Sequence, residues 1–257
     1  MNIRTATSNG VATIEIARPE KKNALTAPMY AAMADALVAA TAERSVRAVL
    51  LTGQPGVFTS GNDIEDFLER PPALGGETAE TPVLRFMRAL LDCDKPVVAA
   101  VTGAAIGVGT TMLLHCDLVY VADEARLAMP FVGLGLVAEF GSSFTVPQAM
   151  GHARAAQKLL LGEPFTAAEA VECGIANAVL PAAEVLPHAR RIAERFNALP
   201  PAAVRATKRL LRVGQRQAVL QAMQRESEEF ARRLSSPEAK EAFRAFLQKR
   251  KPDFSAF

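Results

Sequence analysis

Cysteine is scarce in this chain and spaced against chemistry. Cys93, Cys116 and Cys173 stand far apart, odd in number and without a CxxC pair. That pattern signals neither a disulfide framework nor a zinc site, and buried free thiols are expected. Long apolar runs are missing as well: nothing approaches the roughly 18 residues of a membrane span. The first ten residues, MNIRTATSNG, lack an apolar signal core, so a soluble cytoplasmic protein is expected. Charge of one sign is absent too. The 29 Lys and Arg against 27 Asp and Glu leave a net charge of +2, which supplies no broad field for nucleic acid. What the chain does have is hydrophobic content, 50% of 257 residues, enough for one sizeable domain or one domain with an appendage.

The most informative stretch is residues 95–117, KPVVAAVTGAAIGVGTTMLLHCD. Val97–Val101 is short, apolar and valine-rich, the composition of a strand buried on both faces. Gly103, Gly107 and Gly109 follow, allowing a tight turn and close backbone approach to a ligand. Residues 108–116 are apolar enough for a largely buried helix. The first amides of such a helix lack intrahelical acceptors and its dipole favours negative charge, so this end is suited to hold an oxygen. Taken alone, a glycine turn used only for helix-on-sheet packing explains the segment better. Nucleotide motifs fail on spacing. No Lys and Ser/Thr follow the second glycine as in a phosphate-cradling loop, and the third glycine of a dinucleotide fingerprint is missing.

Elsewhere the chain divides into punctuated α/β units. Residues 3–8 and 11–17 flank Asn9-Gly10, a strong hairpin signal. Thr26 and Pro28 predict a helix to about residue 44, with the threonine as its cap. Strands are predicted at 48–52, 57–60, 118–122 and 125–129, and a helix at 82–92. PPALGGETAE, at 71–80, suits a mobile loop near a site. The repeating unit is two strands and then a helix. Beyond residue 200 the composition shifts to helix formers and charge, with Ser236 capping the last helix and Pro237 opening it. Residues 1–199 therefore read as the core, and 200–257 as helices packed outside it or against another subunit. The run Arg205, Lys208, Arg209, Arg212 reads as a solvated face, His115 as a packed histidine and Asp117 as a carboxylate that orients backbone.

Four segments in order carry a resemblance: ARPEKKNAL at 17–25, VFTSGNDI at 57–64, the glycine segment, and AFLQKRKPDF at 245–254. Together they resemble the crotonase (enoyl-CoA hydratase/isomerase) superfamily over nearly the whole chain. The resemblance implies an α/β crotonase (ClpP-like) fold, a spiral of ββα repeats with a C-terminal helical trimerisation region. It implies homotrimers, often paired into dimers of trimers, and an acyl-CoA thioester as substrate, with coenzyme A arriving as part of that substrate and no other cofactor. Two backbone amides form the family's oxyanion hole, and they match Asn62, after Gly61, and Val108, between Gly107 and Gly109. Many members carry glycine where this chain has Val108, so the valine side chain must point away from the thioester. By the same resemblance Lys22, Ala24 and Leu25 line the nucleotide end of CoA, and Ser60, Asp63 and Ile64 lie near the pantetheine arm. Phe246 and Lys249 match positions that reach the CoA of a neighbouring subunit.

Acid–base residues separate the family's chemistries. Hydratases of this family use two glutamates, and the matching positions here are Thr111 and Phe131, neither of which can act as a general base. One carboxylate falls in the right region: Glu139, in GLGLVAEFGSSFTVPQAMG. That stretch is similar to the peroxisomal-type Δ3,Δ2-enoyl-CoA isomerases, whose single catalytic glutamate it matches. Glu139 would remove the C2 proton of a 3-enoyl-CoA and return it to C4. Its apolar neighbours would raise its pKa and a helix starting at Ser142 would lower it, leaving the sign of the shift open. The alternative for Glu139 is a loop carboxylate that pairs with the amides of that helix start. At the level of the whole protein the alternatives are a hydratase, another enolate reaction such as thioester hydrolysis, and a non-catalytic acyl-CoA-binding subunit.

Overall fold

The computed structural model describes residues 2–69 and 81–257. The segment 71–80, expected as a loop, lies outside the described residues. The chain opens with the hairpin its Asn-Gly pair dictates: β1 (Ile3–Ser8) and β2 (Val11–Ile16) pair antiparallel, with Ser8 opposite Val11. Both turn residues have positive φ, 47° at Asn9 and 71° at Gly10, the twist that joins two strands through two residues.

β2 then lies parallel to β3 (Ala48–Thr52), followed across the sheet by β5 (Val97–Val101), β7 (Leu118–Ala122) and β10 (Ala178–Leu180). Every residue of β3 and β5 is buried, as expected for strands covered on both faces. A second sheet holds β4 (Val57–Thr59), β6 (Ala104–Ile106) and β8 (Arg126–Ala128) in parallel order, closed by β9 (Phe165–Thr166) running antiparallel. Successive strands thus alternate between the sheets: β3 then β4, β5 then β6, β7 then β8. This is the spiral of ββα turns that the resemblance implies.

Helices cover the spiral. α1 (Ala27–Ala42) lies against α3 (Pro82–Asp92), and between β4 and α3 runs the short α2 (Ile64–Glu69). The turn after β6 becomes α4 (Val108–Thr111), continued by a tighter turn over Met112–His115. Then come α5 (Ser142–Met150), α6 (His152–Leu160), α7 (Ala167–Glu172), α8 (Ala182–Arg195), the 34-residue α9 (Pro201–Leu234) and α10 (Pro237–Leu247). Ser236 caps α10 as expected, its hydroxyl accepting from Ala239 N–H.

Two expectations are corrected. Thr26 precedes α1 but its side chain caps nothing; the Ala27 amide donates instead to Asp66 Oδ2 at 2.8 Å, so a carboxylate from α2 holds that helix start. The basic run on α9 is not a solvated face. Lys208 is buried and donates to Asp117 Oδ2 at 2.6 Å and to the Lys95 carbonyl at 2.6 Å. Arg212 donates to Asp117 Oδ1 at 2.8 Å, and Arg205 pairs with Asp94. Only Arg209 of the four fits the expectation. Asp117 also accepts from Val97 N–H at 2.7 Å, so one carboxylate ties the start of β5 to α9. Lys208 is the buried cation of the run, and removing Asp117 would leave its charge without a partner away from water.

Candidate active site

The site forms where parallel strands end. Val57 of β4 pairs with Ala104 of β6 and Thr59 with Ala105, so the chain segments leaving both strands stay side by side. Gly61 has φ 91°, and a Cβ there would stand 2.9 Å from the Ile106 carbonyl oxygen. Asn62 follows in a parallel bridge with Leu25. The bonds of that bridge run from Leu25 N–H to Gly61 O at 2.8 Å and from Asp63 N–H to Leu25 O at 2.9 Å. Both bonds belong to the neighbours of Asn62, so its own amide stays outside the ladder. On the other segment Gly107 takes φ 57° and ψ −120°, a conformation suited to glycine, and Val108 is the first residue of α4, where an amide has no intrahelical acceptor. Among the described residues neither the Asn62 nor the Val108 amide donates to a backbone carbonyl. The Val108 side chain is buried within the core, so valine leaves its amide open.

Asn62 is held from α1. The Tyr30 hydroxyl donates to Asn62 Oδ1, and the buried Tyr30 ring lies 5.6 Å, centroid to centroid, from Phe86. Burial first, and then the Glu139 carboxylate, push the Tyr30 pKa well above the ordinary tyrosine value, so the phenol stays a donor.

Glu139 is 9% exposed and accepts from Thr111 Oγ1 at 2.5 Å. Thr111, marked in the sequence by the acid it lacks, is therefore the residue that fixes Glu139 on α4. Burial raises the Glu139 pKa, the Thr111 bond lowers it, and the Glu226 carboxylate raises it again; the result is pushed up to about 8. The direction left open by sequence is thus upward. The reason is that the amides of α5 belong to a different carboxylate: Gly141 N–H and Ser143 N–H both donate to Glu226 of α9, at 2.6 and 2.7 Å. Glu139 does not cap that helix. Phe131, at the second hydratase position, is a buried ring beside Gly107.

Of the expected CoA-lining residues, those at 22–25 and 60–64 lie on two segments that run side by side. Lys22 and Asn23 both have positive φ, and the Asn23 side chain donates to the Val57 and Phe58 carbonyls at 3.0 and 3.1 Å. Ser60 N–H donates to the Lys22 carbonyl at 3.1 Å, which seats Lys22 and Ala24 beside Ser60 and Gly61. The Leu25 side chain is buried in the core, so it supports the rim rather than facing solvent. Asp63 pairs with Arg18 at 2.5 Å and accepts from the Glu65 and Asp66 amides. Burial raises its pKa, but the Arg18 and helix hydrogen bonds outweigh that and hold the carboxyl below the usual range. Ile64 is the first residue of α2. Phe246 and Lys249 stand exposed at the end of α10, and no hydrogen bond or ring contact joins them to the other site residues described. Among the described residues no group of three His, Cys, Asp or Glu side chains could hold a metal ion, and no helix is long and apolar enough to cross a membrane.

Sequence reading missed Tyr30, Glu226 and Arg18. Arg18 stands inside the ARPEKKNAL motif and could have been found there; Tyr30 and Glu226 carry no local signal.

The chain is similar to known proteins over nearly its whole length. The family profile described as enoyl-CoA hydratase/isomerase matches residues 6–256. The chain is 35% identical over 212 residues to human enoyl-CoA delta isomerase 2, covering 81% of this chain and 54% of that protein, so the match spans about half the human protein's length. It is 29% identical to 2,3-dehydroadipyl-CoA hydratase of Escherichia coli K12, over 95% of this chain and 94% of that one. Among solved structures, Pseudomonas aeruginosa OdaA superposes with a TM-score of 0.92 at 51% identity, covering 96% of this chain and 98% of that one.

Proposed function

The chain belongs to the enoyl-CoA hydratase/isomerase family, and from that membership we propose that it moves the double bond of a 3-enoyl-CoA to the 2-position with Glu139 as its single proton carrier. The observation that carries this reading is the environment of Glu139: a buried carboxylate with a pKa near 8, with a threonine and a phenylalanine at the two hydratase positions. In the proposed reaction the Glu139 carboxylate takes the C2 proton and the C–H electron pair moves onto the thioester oxygen. The resulting enolate oxygen sits between the Asn62 and Val108 amides. Glu139, now neutral, returns the proton to C4 as the double bond forms between C2 and C3. Fixed amide donors favour this charge more than the ground-state carbonyl, the condition for lowering a barrier rather than merely binding. Adding water would require a second acid or base, and the buried Phe131 ring supplies none.

Purified protein given a 3-enoyl-CoA in D2O should yield the trans-2-enoyl-CoA, with deuterium entering C4, and C2 on reversal, to the extent that the proton held by Glu139 exchanges with solvent before it is returned. Hydration of a 2-enoyl-CoA faster than that isomerisation would overturn the reading. Because the ionised form of Glu139 is the base, kcat/KM should rise about tenfold per pH unit up to about pH 8 and then level. The Thr111 bond lowers the Glu139 pKa, so Thr111→Val should move that limb to higher pH. A limb that stays put would mean that the contact does not tune the base.

The CoA-lining roles of Lys22, Ala24, Leu25, Ser60, Asp63, Ile64 and Gly107 belong to the same proposal. So does assembly into trimers, in which Phe246 and Lys249 reach a neighbour's CoA and the exposed Leu210, Leu211 and Val213 of α9 are covered. A monomeric mass in solution would remove that part.

A further inference from the structure

The turn that carries Glu139 is held largely by one distant helix. Phe140, the next residue, has φ 61°, a left-handed conformation that a bulky residue keeps only when its surroundings impose it. α9 supplies those surroundings at three points. The buried Glu226 carboxylate takes Gly141 N–H on Oε2 and Ser143 N–H on Oε1. Val219 and Met223 pack against Gly141, where a Cβ would stand 3.0 Å from Val219 Cγ1. Arg212 donates to the His115 carbonyl at 2.6 Å; the His115 ring stacks on Phe140, centroids 4.1 Å apart, and its Nε2 donates to the Phe140 carbonyl at 2.7 Å.

We propose that Glu226 is a positioning residue for the proton carrier: by gripping both amides that follow the strained Phe140, it fixes the turn from which Glu139 reaches Thr111. This rests on the reading of Glu139 as the proton carrier. A helix start can be capped by a neutral Ser, Thr or Asn. A buried carboxylate in that place adds two charge-assisted bonds and puts a negative charge beside Glu139. The titratable groups on the elements packed round Glu139 are Tyr30 from α1, His115 from the turn after α4 and Glu226 from α9, with Arg212 behind His115. Burial keeps the first two neutral at pH 7, raising Tyr30 and lowering His115 to about 4. Glu226 is the neighbour whose charge raises the Glu139 pKa.

The test uses Glu226→Gln and Glu226→Asp in the full chain, with two readouts. One is the titration midpoint of the Glu139 carboxyl, followed by carbon-13 NMR and assigned with Glu139→Gln. The other is the kcat and KM of isomerisation. Glu226→Gln should lower the midpoint by about half a unit or more, because a neighbouring negative charge is gone. Its kcat should fall about 10-fold or more while KM stays within about twofold, the signature of lost positioning rather than lost binding. Glu226→Asp keeps the charge but is one methylene too short to reach both amides, so its midpoint should hold while kcat falls. A merely structural cap would change the melting temperature and leave kcat alone, and that result overturns the proposal. If Glu226→Gln does not fold, the kcat of Glu226→Asp decides: a fall supports the proposal and an unchanged value overturns it. If the unaltered protein isomerises nothing, the functional reading fails and the positioning role falls with it, whereas an active protein whose kcat is unchanged in both variants overturns the positioning role alone.

Discussion

Glu139→Gln should lower 3-enoyl-CoA isomerisation about 1,000-fold or more and, at pH 9, make the protein more stable. The first half follows from its proposed role: a positioned general base contributes roughly 100- to 10,000-fold, and with Thr111 and Phe131 at the other positions no second carboxylate replaces it. The second half follows from proton linkage. The folded-state pKa of Glu139 is about 8, against an ordinary value of 4.5. Between those values the folded chain holds a proton that the unfolded chain has lost, so stability falls as pH rises across that window and is lowest above pH 8. A shift of that size corresponds to an effect on the order of 5 kcal/mol. Glutamine keeps the shape, can still accept from Thr111 and never ionises. Its advantage in urea denaturation should therefore be small at pH 4 and grow steadily to pH 9. An advantage that is the same at both ends, or a variant with full turnover, would count against the assignment.

Gly61→Ala should lower kcat about 100-fold while leaving CoA binding within a few-fold. The residue has φ 91°, where a side chain is strained, and its Cβ would stand 2.9 Å from the Ile106 backbone oxygen. Backbone cannot rotate out of the way as a side chain could, so the strand ends must part. Asn62 is the next residue, and its amide would shift relative to that of Val108. Loss of one oxyanion donor costs about 100- to 1,000-fold in a well-studied protease. The rim around Lys22 and Ala24 keeps further anchors away from Gly61, Asn23 on the Val57 and Phe58 carbonyls and Arg18 on the Ala24 carbonyl, so nucleotide affinity should survive. Equal losses in kcat and in affinity for a product CoA thioester would show a general collapse of the site instead.

Local pattern made much of this protein legible because much of it is locally determined. The Asn9-Gly10 hairpin, the buried strand before Gly103 and the helix at 82–92 each depend on neighbours in sequence, and each lies where the residues imply. The failures share a different cause. Ala27 is capped by Asp66, 39 residues away, and Gly141 by Glu226, 85 residues away. Lys208 and Arg212 turn inward because Asp117, 91 and 95 residues earlier, waits beneath them. Periodicity cannot see such a partner. A single half-buried carboxylate reverses the side of a helix that polar residues prefer, and nothing nearby in the chain announces it. Thr111 was legible only as a missing acid, since its hydroxyl acquires a purpose when the spiral brings Glu139 within 2.5 Å.

The hold of α9 on residues 141–143 also means that this turn is completed only by a residue 83 to 85 positions further along the chain. The strand ends around Asn62 and Val108, and Glu139 itself, leave the ribosome well before residue 226. A nascent chain that has emitted the first two hundred residues carries both amides and the carboxylate, but the helix that grips the strained turn has yet to form. On the proposed mechanism, competence toward thioesters therefore waits for α9, and a chain terminated ahead of Glu226 should be inert toward them even where its sheets have already closed.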